Sequence, residues 1–223
     1  MTGYISKSKT SHVYSELLRR LRSGEFSFGE TLTLKKLTEE FQVSRQPMMA
    51  AIGLLQLEGF LMVRPQVGCR VVTPKADEVS EFFELFAVSE GLMTKLAAAR
   101  QTSADIPALR AAEDRLSAVQ MNGTLTMDYG KISRAFHREI HKISRAMALS
   151  NRVVSLWGLA DFYLNSAHSS IRPEDEVKER EERRLIVDAI SNGESDLAEA
   201  TMRSHIRAKL YRLGSGCLVQ LAN

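Results

Sequence analysis

Apolar residues recur every three or four positions in three stretches of the first sixty residues, which is the spacing of helices with one buried face. The predicted helices cover 11–23, about 34–41 and 44–58. Their apolar positions are Val13, Leu17, Leu18, Leu21, Leu34, Leu37, Phe41, Met48, Ile52 and Leu55. Gly24 and Gly59 follow the first and third helices, where a residue of left-handed conformation commonly ends a helix. Because a very short turn separates the second and third helices, the pattern predicts a helix-turn-helix.

The stretch 60–72 changes to a pattern typical of two short strands. Its middle, 66–68, predicts the tip of a hairpin, and Arg64 and Arg70 flank that tip. A hairpin in this place is a wing, and its basic side chains can reach the minor groove or the phosphate backbone of DNA.

The rest of the chain predicts helices only, since no stretch alternates in the manner of a strand. The six predicted helices cover 77–101, 105–120, 124–147, 150–171, 174–192 and 194–213. Consecutive helices joined by short connections form an antiparallel bundle. The predicted fold is therefore mostly α, with a winged helix-turn-helix DNA-binding domain over 1–73 and a six-helix antiparallel bundle over 77–223.

Charge is divided unevenly between these two parts. Residues 1–75 contain eleven Lys or Arg and six Asp or Glu, whereas the whole chain of 223 residues has a net charge of only +3. A basic first domain on a mildly acidic body suits a module that binds phosphates. The two cysteines, Cys69 and Cys217, form no disulfide framework, and no apolar run is long enough to span a membrane. We therefore expect a cytoplasmic protein.

The N-terminal residues of the third helix are the ones that a helix-turn-helix places at base edges. Arg45 can pair bidentately with guanine, Gln46 can pair with adenine, and Ser44 can contact a phosphate. With the basic residues of the second helix and of the wing, the predicted DNA-binding residues are Lys35, Lys36, Ser44, Arg45, Gln46, Arg64, Gly68 and Arg70.

This part of the chain resembles the winged-helix motif of the GntR family of bacterial transcriptional regulators. The resemblance rests on Phe-Gln-Val-Ser-Arg-Gln-Pro at 41–47, Leu-Leu-Gln-Leu-Glu-Gly-Phe at 54–60, and Phe-Gly-Glu-Thr-Leu at 28–32. It covers 11–73 and implies that the partner is double-stranded operator DNA. Met49 stands where the family usually has a second Arg, which implies altered specificity or weaker DNA binding.

Residues 77–210 resemble the ligand-binding domain of the FadR/VanR branch of that family, the FCD domain. The matching segments are Glu84 to Glu90, Leu96 to Ala98, Phe136-His137, Ser150-Asn151, Ile186 to Ile190 and Met202 to Ile206. Six helices instead of seven favour the VanR-like group. The resemblance implies a homodimer that binds an effector in its helical domain.

Many members of that branch hold a divalent metal with one Asp and three His. The corresponding positions are Ser133, His137, Arg183 and His205, so that only two of the four implied ligands remain. A guanidinium has only donors, and at ~5 Å from a divalent cation it would cost roughly 6–7 kcal/mol at an effective dielectric of ~20. We therefore expect no metal cofactor. If zinc, nickel or manganese were bound, the ligands would be His137, His141 and His205.

The effector hypothesis centres on Arg183. Its planar fork matches a carboxylate, so that it could take the place of the metal in holding a small organic acid. Ser133, His137 and His205 would then be its hydrogen-bonding neighbours. Two alternatives stay open: Arg183 pairs with a Glu of the charged run 178–184, and the two histidines are ordinary core residues.

These observations predict a ligand-responsive regulator that binds operator DNA, and the resemblance implies that it is a homodimer and a repressor rather than an activator. No nucleophile paired with a base and no pair of acids with a recognisable spacing is visible, so an enzyme is not expected. The alternative from another class is a metal-dependent enzyme of the helical domain, or a metal-dependent sensor with a degenerate DNA-binding head. The sequence His-Arg-Glu-Ile-His at 137–141 is not the zinc-protease motif, because its Glu stands one place too late.

Overall fold

The computed structural model describes residues 9–119, 127–166 and 172–221, and the chain divides into two compact units, Met1–Pro74 and Lys75–Asn223. The first unit contains, in chain order, α1 (Lys9–Arg22), β1 (Thr31–Thr33), α2 (Leu34–Phe41), α3 (Arg45–Leu57), β2 (Leu61–Arg64) and β3 (Gly68–Val71). Leu17, Met48 and Leu55 are fully buried, where α1 packs against α3. The three predicted helices and the wing hairpin are confirmed.

The strand β1 was not predicted. It pairs antiparallel with β3, so that the sheet has the order β1-β3-β2, with Leu32 opposite Cys69 and Val63 on the other side of Cys69. The strand is only three residues long and has a single buried side chain, Leu32. Its backbone ties the start of α2 to the wing, because Thr33 both ends β1 and caps α2 through a hydrogen bond that its side chain accepts from the Lys36 N–H.

Gly68 makes this sheet possible. Its φ is +147°, and a Cβ built there would lie 2.3 Å from the carbonyl oxygen of Leu32 and 2.8 Å from the nitrogen of Leu34. Both atoms belong to the backbone, so neither can move aside easily. Only glycine allows β3 to approach β1 this closely.

The second unit consists, in its described part, of α4 (Ala76–Arg100), α5 (Ile106–Ser117), α6 (Met127–Ser144), α7 (Met147–Ser166), α8 (Pro173–Ser191) and α9 (Ser195–Leu221). The predicted six-helix fold is confirmed. α9 continues eight residues beyond its predicted end and includes Gly214 and Gly216. Residues 122–123, which separate two predicted helices, lie outside the described residues.

One apolar core joins all six helices of this unit, and it contains Phe83, Phe136, Trp157 and Ile206. The most extensive contact is that of α4 with α9. At Gly91 of α4, a Cβ would lie 2.5 Å from Cγ of Arg203, so glycine permits the close approach of α9. In the described part of the chain, no helix combines the length and the apolar character that crossing a membrane requires.

Candidate functional site

The turn between α2 and α3 exposes the start of α3. Gln42 adopts the left-handed conformation with φ +52° and ends α2, and Ser44 is extended and begins α3. Ser44, Arg45 and Gln46 are all exposed. The side chain of Ser44 makes no capping hydrogen bond, so its hydroxyl is available to a partner such as a phosphate.

An open groove connects these residues with the wing. It is lined by Thr33, Leu34, Lys35, Thr38, Val43, Ser44, Arg45, Gln66 and Val67. Three predicted DNA-binding residues, Lys35, Ser44 and Arg45, thus lie along one groove together with the turn between β2 and β3. The structure brings basic and polar side chains of α2 and α3 to the tip of the wing, as a winged helix requires for contact with DNA.

The predicted wing residues differ in their environment. The side chain of Arg64 is exposed and makes no hydrogen bond or ion pair with any described residue. Arg70 is exposed as well, but its Nε donates a 2.7 Å hydrogen bond to the carbonyl oxygen of Gly29. Gly68 is buried, and its neighbours across the sheet are Thr33 and Arg64. Gly68 therefore shapes the hairpin, and its direct contact with DNA stays a prediction.

The helical unit contains a cavity whose empty volume, its open mouth included, is about 660 Å³. It is lined by Phe83, Phe86, Tyr129, Gly130, Ser133, Arg134, His137, Trp157, Ala160, Asp161, Leu164, Asn165, Glu179, Ile206 and Lys209. The lining combines large apolar side chains with a few polar groups, as the lining of small-molecule sites commonly does. Of the four predicted effector residues, Ser133 and His137 line the cavity, whereas Arg183 and His205 lie outside its lining.

Glu90 of α4 lies next to His137, and its side chain is completely buried. Its carboxylate accepts a hydrogen bond from Trp157 Nε1 at 2.6 Å and lies 2.9 Å from His137 Nδ1 and 3.2 Å from His141 Nε2. Burial by itself raises the pKa of this carboxyl, but the two imidazoles bring the pKa below its usual value. Glu90 thereby fixes the orientation of His137 in the cavity wall.

Arg183 is 97% buried on α8. Its NH1 lies 3.6 Å from Glu179, its Nε lies 3.7 Å from Glu113, and its NH2 donates a 3.3 Å hydrogen bond to the Ser117 hydroxyl. The pairing with Glu179 agrees with the alternative that Arg183 pairs within the charged run 178–184. Glu179 and Arg183 of that run nevertheless face the interior, so the run is not simply a solvated face. Direct contact of Arg183 with an effector stays a prediction.

The three histidines do not fit the metal site that the resemblance implies. Both ring nitrogens of His141 are engaged, since Nδ1 lies 2.9 Å from the Ser150 hydroxyl and Nε2 lies 3.2 Å from Glu90. His205 Nδ1 lies 2.8 Å from Glu182, and its ring stacks on that of His137 at 6.5 Å. Among the described residues, no three His, Cys, Asp or Glu side chains are arranged to hold an ion. We therefore derive no role for a metal.

The polar residues of this region that sequence reasoning did not assign to the site include Glu90, Glu179 and Lys209. Glu179 lines the cavity and accepts a 2.6 Å hydrogen bond from the hydroxyl of Tyr129. Lys209 lines it from α9, one helical turn after His205. That spacing is the one signal in the sequence that could have identified Lys209, because a side chain four residues from a predicted site residue shares its helix face.

Comparison with known proteins identifies both units. Residues 9–71 match the model for bacterial regulatory proteins of the gntR family, and residues 81–208 match the FCD domain model. The uncharacterized HTH-type transcriptional regulator YdhC of Bacillus subtilis (strain 168) is 24% identical over 138 residues, and the match spans 62% of each chain. The probable D-xylose utilization operon transcriptional repressor of Paenarthrobacter nicotinovorans is 24% identical over 200 residues, which cover 90% of this chain and 86% of the repressor.

The fold agrees with these matches. The structure of McbR/YncC from E. coli superposes with a TM-score of 0.76 at 22% identity, and the match covers 97% of this chain and 99% of that one. The family and the relatives named here are transcriptional regulators and not enzymes. Because the FCD model spans more than half of the chain and the gntR model spans the winged helix, the chain belongs to the GntR family of bacterial regulatory proteins, in the branch that carries an FCD domain.

Proposed function

We propose that this chain is a ligand-responsive repressor that binds operator DNA as a homodimer in the cytoplasm, with residues 1–73 as the DNA-binding domain and 77–223 as the effector-binding and dimerisation domain. The observation that carries the proposal is the groove in which Lys35, Ser44 and Arg45 lie beside the wing tip. The sign of regulation is supported by the relative from Paenarthrobacter nicotinovorans, which is named a repressor.

In this mechanism, the start of α3 enters the major groove and the wing lies over the adjacent backbone. Arg45 and Gln46 read base edges, whereas Lys35, Lys36, Ser44 and Arg64 contact phosphates. Two copies of this head read two half-sites. The dimer has two states that differ in the spacing of its DNA-binding heads. An effector changes operator affinity only if it binds one of these states more tightly than the other.

The effector in this proposal is a small organic acid in the cavity of the helical unit. Ser133 and His137 line the cavity from α6 and contact the acid in this proposal, whereas His205 and Arg183 are not part of the lining. Burial and, next to it, the charge of Lys209 lower the pKa of His205 to about 4, so the ring is neutral near neutral pH. A neutral imidazole carries no positive charge, so the cation that pairs with the acid must be another residue.

The test of DNA binding uses duplexes selected by the full-length protein from a random library, with affinity measured at several salt concentrations. Arg45→Ala is expected to lose about 1–3 kcal/mol of discrimination between the selected sequence and a scrambled one. The matched control is Arg152→Ala, since Arg152 is an exposed Arg on α7. Equal discrimination by wild type and Arg45→Ala would contradict the proposed role of Arg45.

The test of assembly is sedimentation of the purified protein with and without the selected duplex. A dimer with two heads is expected to protect two half-sites from nuclease, spaced by whole turns of the double helix. A monomer that protects a single half-site would overturn the homodimer.

A further inference from the structure

The charged side chains that line the cavity differ in whether they pair with a group of opposite charge. Arg134 and Asp161 form an ion pair, and both line the cavity. Glu179 accepts the hydrogen bond of Tyr129 and lies 3.6 Å from Arg183. Each of these cavity charges therefore has an opposite charge in direct contact or within 4 Å.

Lys209 is the exception. In the part of the chain that the structure describes, its ammonium has no hydrogen bond and no ion pair. Burial is the largest influence on the pKa of both Glu179 and His205, and the next influence on each is the charge of Lys209. The charge of Lys209 thus acts on both groups, and Lys209 lines the cavity without a hydrogen bond or ion pair to either of them.

Ser133 supplies a second unused donor. It lines the same cavity from α6, and its hydroxyl makes no hydrogen bond to another described residue. A carboxylate accepts hydrogen bonds from an ammonium and from a hydroxyl, and such bonds are stronger when one partner is charged. Lys209 and Ser133 thus offer donors to one acidic head from two different helices.

The remaining wall of the cavity is mostly apolar. Its large apolar side chains are Phe83, Phe86, Trp157, Leu164 and Ile206. A ligand that carries many hydroxyl groups would leave several of them without partners against these side chains, and each buried polar group without a partner weakens binding. An apolar body removes surface from water there instead.

We propose that Lys209 and Ser133, which line the same cavity, bind the carboxylate of the effector, and that the effector is a monocarboxylate with an aliphatic or aromatic body. This inference rests on the proposed function, because it specifies the acid that the helical domain senses. Arg183 is a poorer partner for the carboxylate, because it lies outside the lining of the cavity and has Glu113 and Glu179 within 4 Å.

The experiment titrates the full-length protein with sodium hexanoate and sodium phenylacetate, with the amide of each, and with the hydrophilic acids lactate and gluconate. Trp157 lines the cavity and is the only Trp of the chain, so its fluorescence reports binding directly. At least one of the two apolar acids is expected to bind, and its amide and the hydrophilic acids are expected to bind much more weakly.

The variants test whether the affinity for the acid depends on the charge of Lys209. Lys209→Met is expected to weaken binding of the apolar acid about ten- to a hundredfold and to leave binding of the amide unchanged. Lys209→Arg keeps the charge and is expected to retain most of the affinity, which controls for folding. Lys142→Met is the matched control, because Lys142 is an exposed lysine of α6 that pairs with Glu139.

Three results would overturn the inference. Binding of lactate or gluconate, without the apolar acids, would exclude the apolar class while the proposed acid sensor stands. Loss of binding in Arg183→Met but not in Lys209→Met would make Arg183 the anchor and again leave the sensor intact. Binding of none of the acids would overturn both the inference and the acid effector, whereas the role in DNA binding is tested separately on selected duplexes.

Discussion

The indole N–H of Trp157 donates a 2.6 Å hydrogen bond to the carboxylate of Glu90, which is completely buried. The same carboxylate meets His137 and His141, so one acidic side chain of α4 organises three residues of α6 and α7. A buried carboxylate without such partners would be strongly destabilising. The network therefore stabilises the helical unit and holds two residues of the cavity wall, His137 and Trp157.

Glu90→Gln is expected to lower the free energy of unfolding of the helical unit by about 3 kcal/mol. The amide cannot accept the hydrogen bonds of both oxygens, and bonds to a charged acceptor contribute about 1.5–3 kcal/mol each. Urea unfolding followed by Trp157 fluorescence measures this change. Glu81→Gln, at an exposed position of the same helix, is the control and is expected to change stability by less than about 0.5 kcal/mol. Equal effects of the two substitutions would contradict the role assigned to the network.

Gly68 and Gly53 are expected to respond to alanine with opposite signs. Gly68→Ala forces a Cβ against the backbone of Leu32 and Leu34, so β3 must separate from β1. At Gly53, in the middle of α3, a Cβ meets nothing within 4 Å, and alanine stabilises a helix by about 0.5–1 kcal/mol relative to glycine.

Hydrogen exchange of peptides that cover 61–71 distinguishes the two variants. Faster exchange is expected in Gly68→Ala, and unchanged or slower exchange is expected in Gly53→Ala. If Gly68→Ala exchanged at the wild-type rate, the close approach of β3 to β1 would not depend on glycine.

Alanine substitutions of the two wing arginines are expected to differ in their effect on the stability of the first unit. Arg64→Ala removes an exposed cation without a partner among the described residues. It should weaken DNA binding and reduce by about one the slope of log affinity against log salt concentration. Its effect on the free energy of unfolding should be less than about 0.5 kcal/mol. Arg70→Ala also removes the hydrogen bond to Gly29 and should destabilise the first unit by about 1 kcal/mol. Titrations at several salt concentrations, together with thermal unfolding followed by circular dichroism, measure both effects. A stability loss in Arg64→Ala as large as that in Arg70→Ala would contradict this distinction.

The helices could be predicted from the sequence because their information is local. Leu17, Met48 and Leu55 recur at helical spacing, and these residues form the core of the first unit. The strand β1 could not be predicted, because three residues with one apolar side chain carry no periodic signal. It forms only because β3 offers a partner, and that partner lies almost forty residues further along the chain.

The same distinction explains which site residues were found. Ser133 and His137 were found because a family motif marks their positions. Glu90 was missed as a site residue, since its partners are 47, 51 and 67 residues away and no local pattern shows that they meet. Lys209 was missed because its property, a charge without a bonded partner, exists only once the helices are packed.

His205 gives the protein a pH dependence of stability with a definite sign. Burial lowers its pKa from 6.5 to about 4, so the folded state holds the neutral form more strongly than the unfolded state does. The stabilisation is complete above pH 6.5 and is lost as the pH falls towards 4, because the unfolded state then takes up the proton first. Between pH 7.5 and pH 5, the loss amounts to about 2 kcal/mol. Urea unfolding at both pH values, followed by Trp157 fluorescence, should show this loss in wild type and in the exposed-site control His12→Asn, but a much smaller one in His205→Asn. The same loss in all three proteins would show that another group carries the pH dependence.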